Sequence, residues 1–399
     1  MPPEESALLC EPVPAQSGDA LAGYLADAAR RGASDLLLIA GAPPTVYVCG
    51  QWLPLGSQAL SAEEVTACLE SILTDAQRTA IYENRDLDFG FQLPDIGRYR
   101  VNVHYQQGTL AAAFRAIPTR VPPFEQLGLP PQVLRFADHP NGLVLVTGCT
   151  GQGKSTTLAA IIEHLNRTRD AHVITIEDPI EFVFQHGTCL IEQRQIGEDS
   201  PSFDSALRHV LRQRPDVILI GEMRDLETVA TALTAAETGH LVLASLHTSS
   251  AAQTLARIVD VFPAGQQPQI RTQLAASLRA ILCQRLLRDR RNDSLTPATE
   301  LLFATSAVRR AIRDNETHLI YSMMETGRRH EMHTLEQSLA ALVNAGRIDL
   351  HEASAAAADP LRLEKLIEQP GSAGLALLPQ THTSGAAPIE LPWDGNPVC

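Results

Sequence analysis

Four short apolar runs stand out along the chain. They are GLVLVTG, HVITIED, DVILIGE and HLVLASLHT, all between residues 132 and 260. Stretches with helical spacing separate them. Continuous apolar runs of this length, alternating with helices, predict strands buried on both faces of a mostly parallel sheet. Upstream the pattern differs. DALAGYLADAARRGA places Leu21, Tyr24, Leu25 and Ala28 on one helical face. ASDLLLIAG and TVYVCGQWLPL read as strands split by a Gly-Ala-Pro-Pro turn. Ser61 and Glu64 have the spacing of a capping box at a helix start. LDFGFQL and GRYRVNVHYQQGTLAAAFRAI follow as further strands. Residues 18–117 are therefore expected to form a mixed α+β domain, preceded by a flexible segment over 1–17.

Between the two patterns lie Pro118, Pro122, Pro123, Pro130 and Pro131. Proline fixes φ and removes a backbone donor, so 118–131 is expected to be a stiff linker and a hinge. The α/β pattern of the second domain is expected to span 132–368, and from about 264 onward it reads as almost all helix. Residues 369–399 carry Pro370, Pro379, Pro388, Pro392 and Pro397 with little periodicity, and are expected to be a disordered tail.

Composition narrows the classes. With 44% hydrophobic and 20% charged residues, the chain is globular, which excludes collagen-like and fully disordered types. Asp and Glu total 46 against 32 Lys and Arg, a net charge of −14. Phosphate neutralisation needs a basic surface, so nucleic acid is not an expected partner. No apolar run approaches the ~20 residues that cross a bilayer, so no membrane span is expected. The acidic, Pro-rich start lacks the features of a signal peptide. The seven cysteines form no CxxC pair or zinc spacing and fit reduced thiols in a cytosolic protein.

One motif carries specific chemistry. Gly148-Cys149-Thr150-Gly151-Gln152-Gly153-Lys154-Ser155 fits GxxxxGK[ST] and runs on into Thr156 and a helical stretch. It follows one of the four apolar runs. In that setting the glycines turn backbone N–H groups toward a phosphate, and the helix N-terminus adds partial positive charge. Lys154 would reach the β- and γ-phosphates of ATP, and Ser155 would offer a hydroxyl to Mg²⁺.

Hydrolysis also needs acids. The run Val217–Ile220 leads into Gly221 and Glu222, and ITIEDPIE supplies Glu177, Asp178 and Glu181. Ligands of open parallel sheets sit at the carboxyl edge of the strands, where these acids fall. Glu181 and Glu222 are the candidates for polarising water or organising Mg²⁺, with the choice of base left open. Taken singly, each acid could equally be a solvated loop residue or a helix cap. His240 and His247 flank the fourth run, and His247, just past its end, could sense a γ-phosphate.

The order GCTGQGKST, VITIEDPIEFV, LRQRPDVILIGEMRD, TAAETGHLVLASLHT resembles the secretion ATPases of type II secretion and type IV pili. In them these segments are the Walker A, Asp, Walker B and His boxes. The resemblance covers about residues 20–350 and is nearest to the pilus-retraction branch, PilT and PilU. GRYRVN, AFRAIP, RIVDVFP, AVRRAIRD and MHTLEQSLAALVNAGRI carry that branch. The resemblance implies a PAS-like N-terminal domain joined to a RecA-like ATPase domain with a helical C-terminal part. It implies a homo-hexamer using ATP and Mg²⁺, located in the cytoplasm at the inner face of the cytoplasmic membrane. A pilus platform protein and a related retraction ATPase are the implied partners. Pilus retraction is the implied activity. An assembly or export ATPase of a type II secretion, pilus-extension or conjugative transfer system is the alternative, because retraction and extension motors share all four boxes. Glu181 falls on the general-base position, Glu222 on the Walker B acid, and His240 and His247 on the His box. Arg98, Arg100 and Arg115 fall on positions that can contribute arginines to ATP sites. Cys149 and Gln152 replace the usual Pro and Ser of the loop, Gly108-Thr109 replaces an Arg-Gly, and Gln213-Arg214 replaces an acidic pair.

Overall fold

The computed structural model describes residues 17–48, 51–94, 96–118, 121–291 and 294–368. The expected flexible start, apart from Ser17, and the expected disordered tail lie outside them. The described residues divide into two compact units, with the boundary at 119–120.

The first unit packs helices against one antiparallel sheet. Helix α1 (Ser17–Arg30) buries Leu21, Leu25 and Ala28 at the spacing expected of an amphipathic helix. The strands are β1 (Asp35–Ile39), β2 (Thr45–Val48), β3 (Gln51–Pro54), β4 (Asp86–Leu93), β5 (Gly97–Gln106) and β6 (Thr109–Ile117), in the order β3-β2-β1-β6-β5-β4. Helices α2 (Ala62–Glu70) and α3 (Asp75–Asn84) lie between β3 and β4 in sequence. The Ser61 hydroxyl accepts from the Glu64 N–H and the Glu64 carboxylate accepts from the Ser61 N–H, closing the expected capping box. TVYVCGQWLPL, read above as one strand, is two. Tyr47 lies opposite Trp52 across β2 and β3, ring centroids 4.8 Å apart. An apolar run alone carries no signal for where it doubles back.

The second unit is built on a seven-stranded sheet. Its strands are β7 (Gly142–Thr147), β8 (His172–Glu177), β9 (Leu190–Gln195), β10 (Val217–Ile220), β11 (Leu241–Leu246), β12 (Leu278–Arg288) and β13 (Leu295–Phe303), in the order β13-β12-β7-β11-β10-β8-β9. All neighbours are parallel except β12 and β13. Helix α4 (Lys154–Thr168) and the turn Pro131–Asp138 cover one face. Helices α5 (Phe203–Val210), α6 (Leu226–Glu237), α7 (Ala251–Asp260) and α8 (Gln267–Ser277) cover the other. Every residue of β7, β10 and β11 is buried, as a sheet with two covered faces requires. Phe124, Leu127 and Leu129 of the Pro-rich stretch pack into the α4-side core, so 121–131 belongs to this unit.

The expectation of almost continuous helix from 264 is corrected by β12 and β13. Along β12, Ile281 and Cys283 enter one core while Ala280 and Leu282 enter the other. With both faces apolar, the two-residue period disappears from the sequence and the run passes for a buried helix. Helix returns with α9 (Ser306–Arg313) and in short segments through Glu368.

Candidate active site

Strand β7 ends at Thr147 and the chain turns at once into the Gly-rich loop, with α4 beginning at Lys154. Gly148 has φ +149°, and a Cβ there would stand 2.5 Å from the Gln284 carbonyl oxygen. A Cβ on Gly153, at φ +76°, would stand 3.1 Å from the Gln284 amide nitrogen. Gly148 is therefore required by the backbone of a strand that motif reading does not include, whereas Gly153 is required by its left-handed φ. Gln284 of β12 donates to the Gln152 carbonyl at 2.5 Å, and the Leu286 N–H donates to the Gln152 side-chain oxygen at 2.5 Å. The Thr157 hydroxyl, on the first turns of α4, donates to the Gln284 side-chain oxygen at 2.9 Å. The unusual Gln152 thus ties the loop to its neighbouring strand. Gln284→Ala is expected to leave the buried Thr157 hydroxyl unpartnered at a cost of about 1–3 kcal/mol. ATP affinity should fall about tenfold as the loop loosens, an estimate scaled from the same lost bonds. Chemical unfolding and nucleotide titration read both effects. Unchanged values in both would show that the loop holds its shape without the Gln284 side chain.

Lys154 is buried to 8% exposure and donates through Nζ to the carbonyls of Gly148 at 2.9 Å and Cys149 at 3.1 Å. Burial pulls its pKa down, opposed by the charges of Glu222 and Glu181. Cys149, Thr150 and Gly151 form the exposed crest of the loop, and Ser155 and Thr156 lie half-buried on the first turn of α4.

The other expected groups arrive from neighbouring strands. Ile220, the last residue of β10, pairs with Ala244 and Ile176, and β8 runs one residue and β11 two residues past this register. Glu222 follows β10 and His247 follows β11 directly. The Glu222 carboxylate lies 3.0 Å from His247 Nε2 and 2.6 Å from an Arg224 nitrogen. His247 Nδ1 faces Lys154 Nζ at 3.4 Å and the Thr150 hydroxyl at 3.5 Å. A neutral ring with its proton on Nε2 satisfies every contact, donating to Glu222 and accepting from Lys154. Burial alone would raise the Glu222 carboxyl, but hydrogen bonds from Arg224 and His247 and the charge of Arg224 hold it below its ordinary value. Arg224 escaped the sequence reading. Its signal was a cation two residues after the Walker B acid.

The Asp-box acids divide by orientation. Glu177, the last residue of β8, is buried; its carboxylate accepts from the Thr175 hydroxyl at 2.6 Å, from Gln193 at 3.3 Å and from the Glu181 backbone N–H at 3.3 Å. Burial pushes its pKa up. It shapes the turn that presents Asp178 and Glu181, both exposed. Among the described residues the Glu181 carboxylate makes no hydrogen bond or ion pair, while its charge reaches Lys154.

His240 is not brought to this edge. It precedes β11, and its backbone carbonyl accepts from the Gly142 N–H at the start of β7. The six residues of β11 separate it from His247 by about 20 Å. Its ring bonds the Ala235 carbonyl at 3.0 Å, closing the end of α6. Arg98, Arg100 and Arg115 lie in the first unit. Arg100 and Arg115 are directly opposed across β5 and β6. Arg100 faces Asp88 at 3.6 Å and Arg115 faces Asp35 at 2.8 Å, which offsets the repulsion of two like charges in register.

A parallel sheet whose first strand runs into a phosphate loop, with an acid and a histidine at the same carboxyl edge, defines a RecA-like P-loop ATPase. The model of the Type II/IV secretion system protein family matches residues 120–368, and the chain belongs to that family. It is 45% identical over 329 residues to the type IV pilus retraction ATPase PilT of Pseudomonas aeruginosa, covering 82% of this chain and 95% of that one. It is 39% identical over 335 residues to the type IV pilus ATPase PilU of the same organism, covering 84% and 88%. A crystal structure of the pilus retraction motor PilT with bound ADP superposes with a TM-score of 0.81 at 45% identity, covering 85% of this chain and 97% of that one. Among the described residues no helix is long and apolar enough to cross a membrane.

Proposed function

We propose that this chain is the ATP-hydrolysing subunit of a hexameric motor that retracts a type IV pilus. The observation that carries this reading is the Lys154–His247–Glu222 contact at the carboxyl edge of the sheet, in a chain similar over 82% of its length to a pilus retraction ATPase. His247 touches both the phosphate-loop cation and the Walker B acid, so a γ-phosphate arriving at Lys154 would be felt at Glu222. Glu181 is the better candidate for general base, because its carboxylate is exposed and uncommitted to a partner among the described residues. Glu222, with both oxygens engaged, is better suited to orienting water or metal.

The donor set suits Mg²⁺. That ion prefers hard oxygens and is usually bound by one or two protein ligands together with substrate phosphates. The Ser155 hydroxyl and the Glu222 carboxylate are such ligands. Bound there, Mg²⁺ would supply charge neutralisation for the phosphates. Within the Pro-rich stretch 118–131, the part that joins the two units is the proposed hinge, through which hydrolysis would move them. A platform protein at the inner face of the membrane is the proposed load, and a related retraction ATPase a proposed companion.

Deletion of the gene tests the direction of the motor. Surplus pili with lost twitching are expected. Cells without pili would instead assign assembly, the alternative shared by all motors with these boxes.

The three arginines are proposed to act on the nucleotide of a neighbouring subunit. An arginine brought to developing phosphate charge can contribute ~10³-fold or more in rate. Arg100→Ala is expected to lower hydrolysis by roughly that factor with ring assembly intact. Mixing it with Lys154→Ala subunits should restore part of the activity, since an intact arginine then meets an intact loop. Mixed rings as inactive as either parent would place the arginines in cis or outside catalysis.

A further inference from the structure

One buried carboxylic acid near the site has no part in the reading above. Glu300, on β13, is 4% exposed. It lies opposite Cys283 of β12, Cys283 lies opposite Thr147 of β7, and Thr147 lies opposite Leu246 of β11. Directly opposed residues share a face, so these four form a row across the sheet just below the phosphate loop and His247. The N-terminus of α7 covers the row. There the Glu300 Oε1 accepts from the Ala251 N–H at 2.6 Å. Ser250 caps the same helix, its hydroxyl accepting from the Gln253 N–H at 3.3 Å. The Thr248 hydroxyl meets the Thr254 hydroxyl at 2.6 Å. The segment 247–251 is thus pinned at two points, and its first residue is His247. A side chain held through so short a segment inherits the position of the anchor.

We infer that Glu300 is a positioning residue for hydrolysis: by holding the first N–H of α7, it fixes the segment that presents His247 to Lys154 and Glu222. The inference rests on the reading of His247 as the group that senses the γ-phosphate. Glu300 touches neither nucleotide nor water in this account and acts only through the segment. A shift of about 1 Å at a group aligned with reacting atoms can cost up to ~10²-fold in rate. A carboxyl here need not be charged. Burial raises it to about 7, with the Ala251 N–H opposing, the Glu336 charge adding and the Cys283 thiol opposing. A neutral glutamine would offer the same acceptor to Ala251.

The experiment compares Glu300→Ala, Glu300→Gln, His247→Ala and the Glu300→Ala/His247→Ala pair in the full-length protein. It measures kcat for ATP and binding of ADP, which lacks the γ-phosphate. Glu300→Ala is expected to lower kcat about tenfold, with ADP affinity within about twofold of wild type, an allowance for uncoupled sites. Glu300→Gln should recover most of kcat. The double variant should be no slower than His247→Ala alone, because both changes remove one function. Multiplicative losses, or a parallel loss of ADP affinity, would mean that Glu300 only supports the fold and would overturn the inference. Wild-type kcat in Glu300→Ala beside an impaired His247→Ala would sink this inference while leaving the sensor reading intact. Wild-type kcat in His247→Ala would remove the sensor and the inference together. If Glu300→Ala does not fold, Ala251→Pro takes its place under the same criteria. It deletes the same N–H at the first helical position, where proline is well tolerated, after a Ser250 already in extended backbone at φ −148° and ψ 159°.

Discussion

Replacing Lys154 with alanine should lower ATP turnover by about 10²–10³-fold, or ~3–4 kcal/mol in the barrier, the loss typical when a preorganised donor to developing charge is removed. Nucleotide affinity should fall as well, because Lys154 is the only cationic side chain of the loop itself. The structure gives the reason for both effects. The ammonium is held at the loop carbonyls of Gly148 and Cys149 and beside His247, on a residue that is itself buried. Arriving phosphate oxygens would replace those weak acceptors with charged ones, and charge-assisted hydrogen bonds are roughly twice as strong as neutral ones. Steady-state hydrolysis and equilibrium binding of ATP measure the two losses separately. Wild-type turnover in the variant would remove the phosphate loop from the mechanism.

Glu222→Gln should leave ATP binding within a few-fold of wild type and slow turnover by about 10²–10⁴-fold, the usual contribution of a positioned acid or base. The carboxylate bridges His247 and Arg224, so an amide in its place would turn a donor toward one of them. Its charge would vanish while Arg224 keeps its own. Because Glu222 titrates below the ordinary carboxylate range, it is ionised at neutral pH. Its share of stability is therefore present above the unfolded value and is lost only as pH falls through the depressed one. Around neutrality the wild type should show no titration from Glu222, and the glutamine variant should stay slow across that range. Glu181→Gln should be equally slow if it is the base. A single-turnover measurement with pre-bound ATP distinguishes a chemical defect from a binding defect. Normal turnover in both variants would make the two acids structural.

The chain announced the phosphate loop, the four parallel strands and the acids at their ends because those depend on local rules. A buried strand between helices is a short apolar run. A phosphate loop needs glycines, a lysine and a hydroxyl at fixed neighbouring positions. The capping box at Ser61 was readable for the same reason, since its partners are three residues apart. What the four boxes do in an assembled motor came from the resemblance to secretion ATPases.

Tertiary structure alone decided the rest, because sheet register joins residues that sequence keeps far apart. Gln284 grips Gln152 across 132 positions, and Glu300 reaches Ala251 across 49. His240 and His247 both flank one strand, and only the direction of β11 shows that a strand's length separates His240 from the loop. Glu177 and Glu181 sit in one box, yet the first turns inward to brace the turn and the second faces solvent. The β12–β13 hairpin was hidden because its two faces are both apolar. A linear pattern records which residues avoid water, whereas strand order and register determine which of them meet.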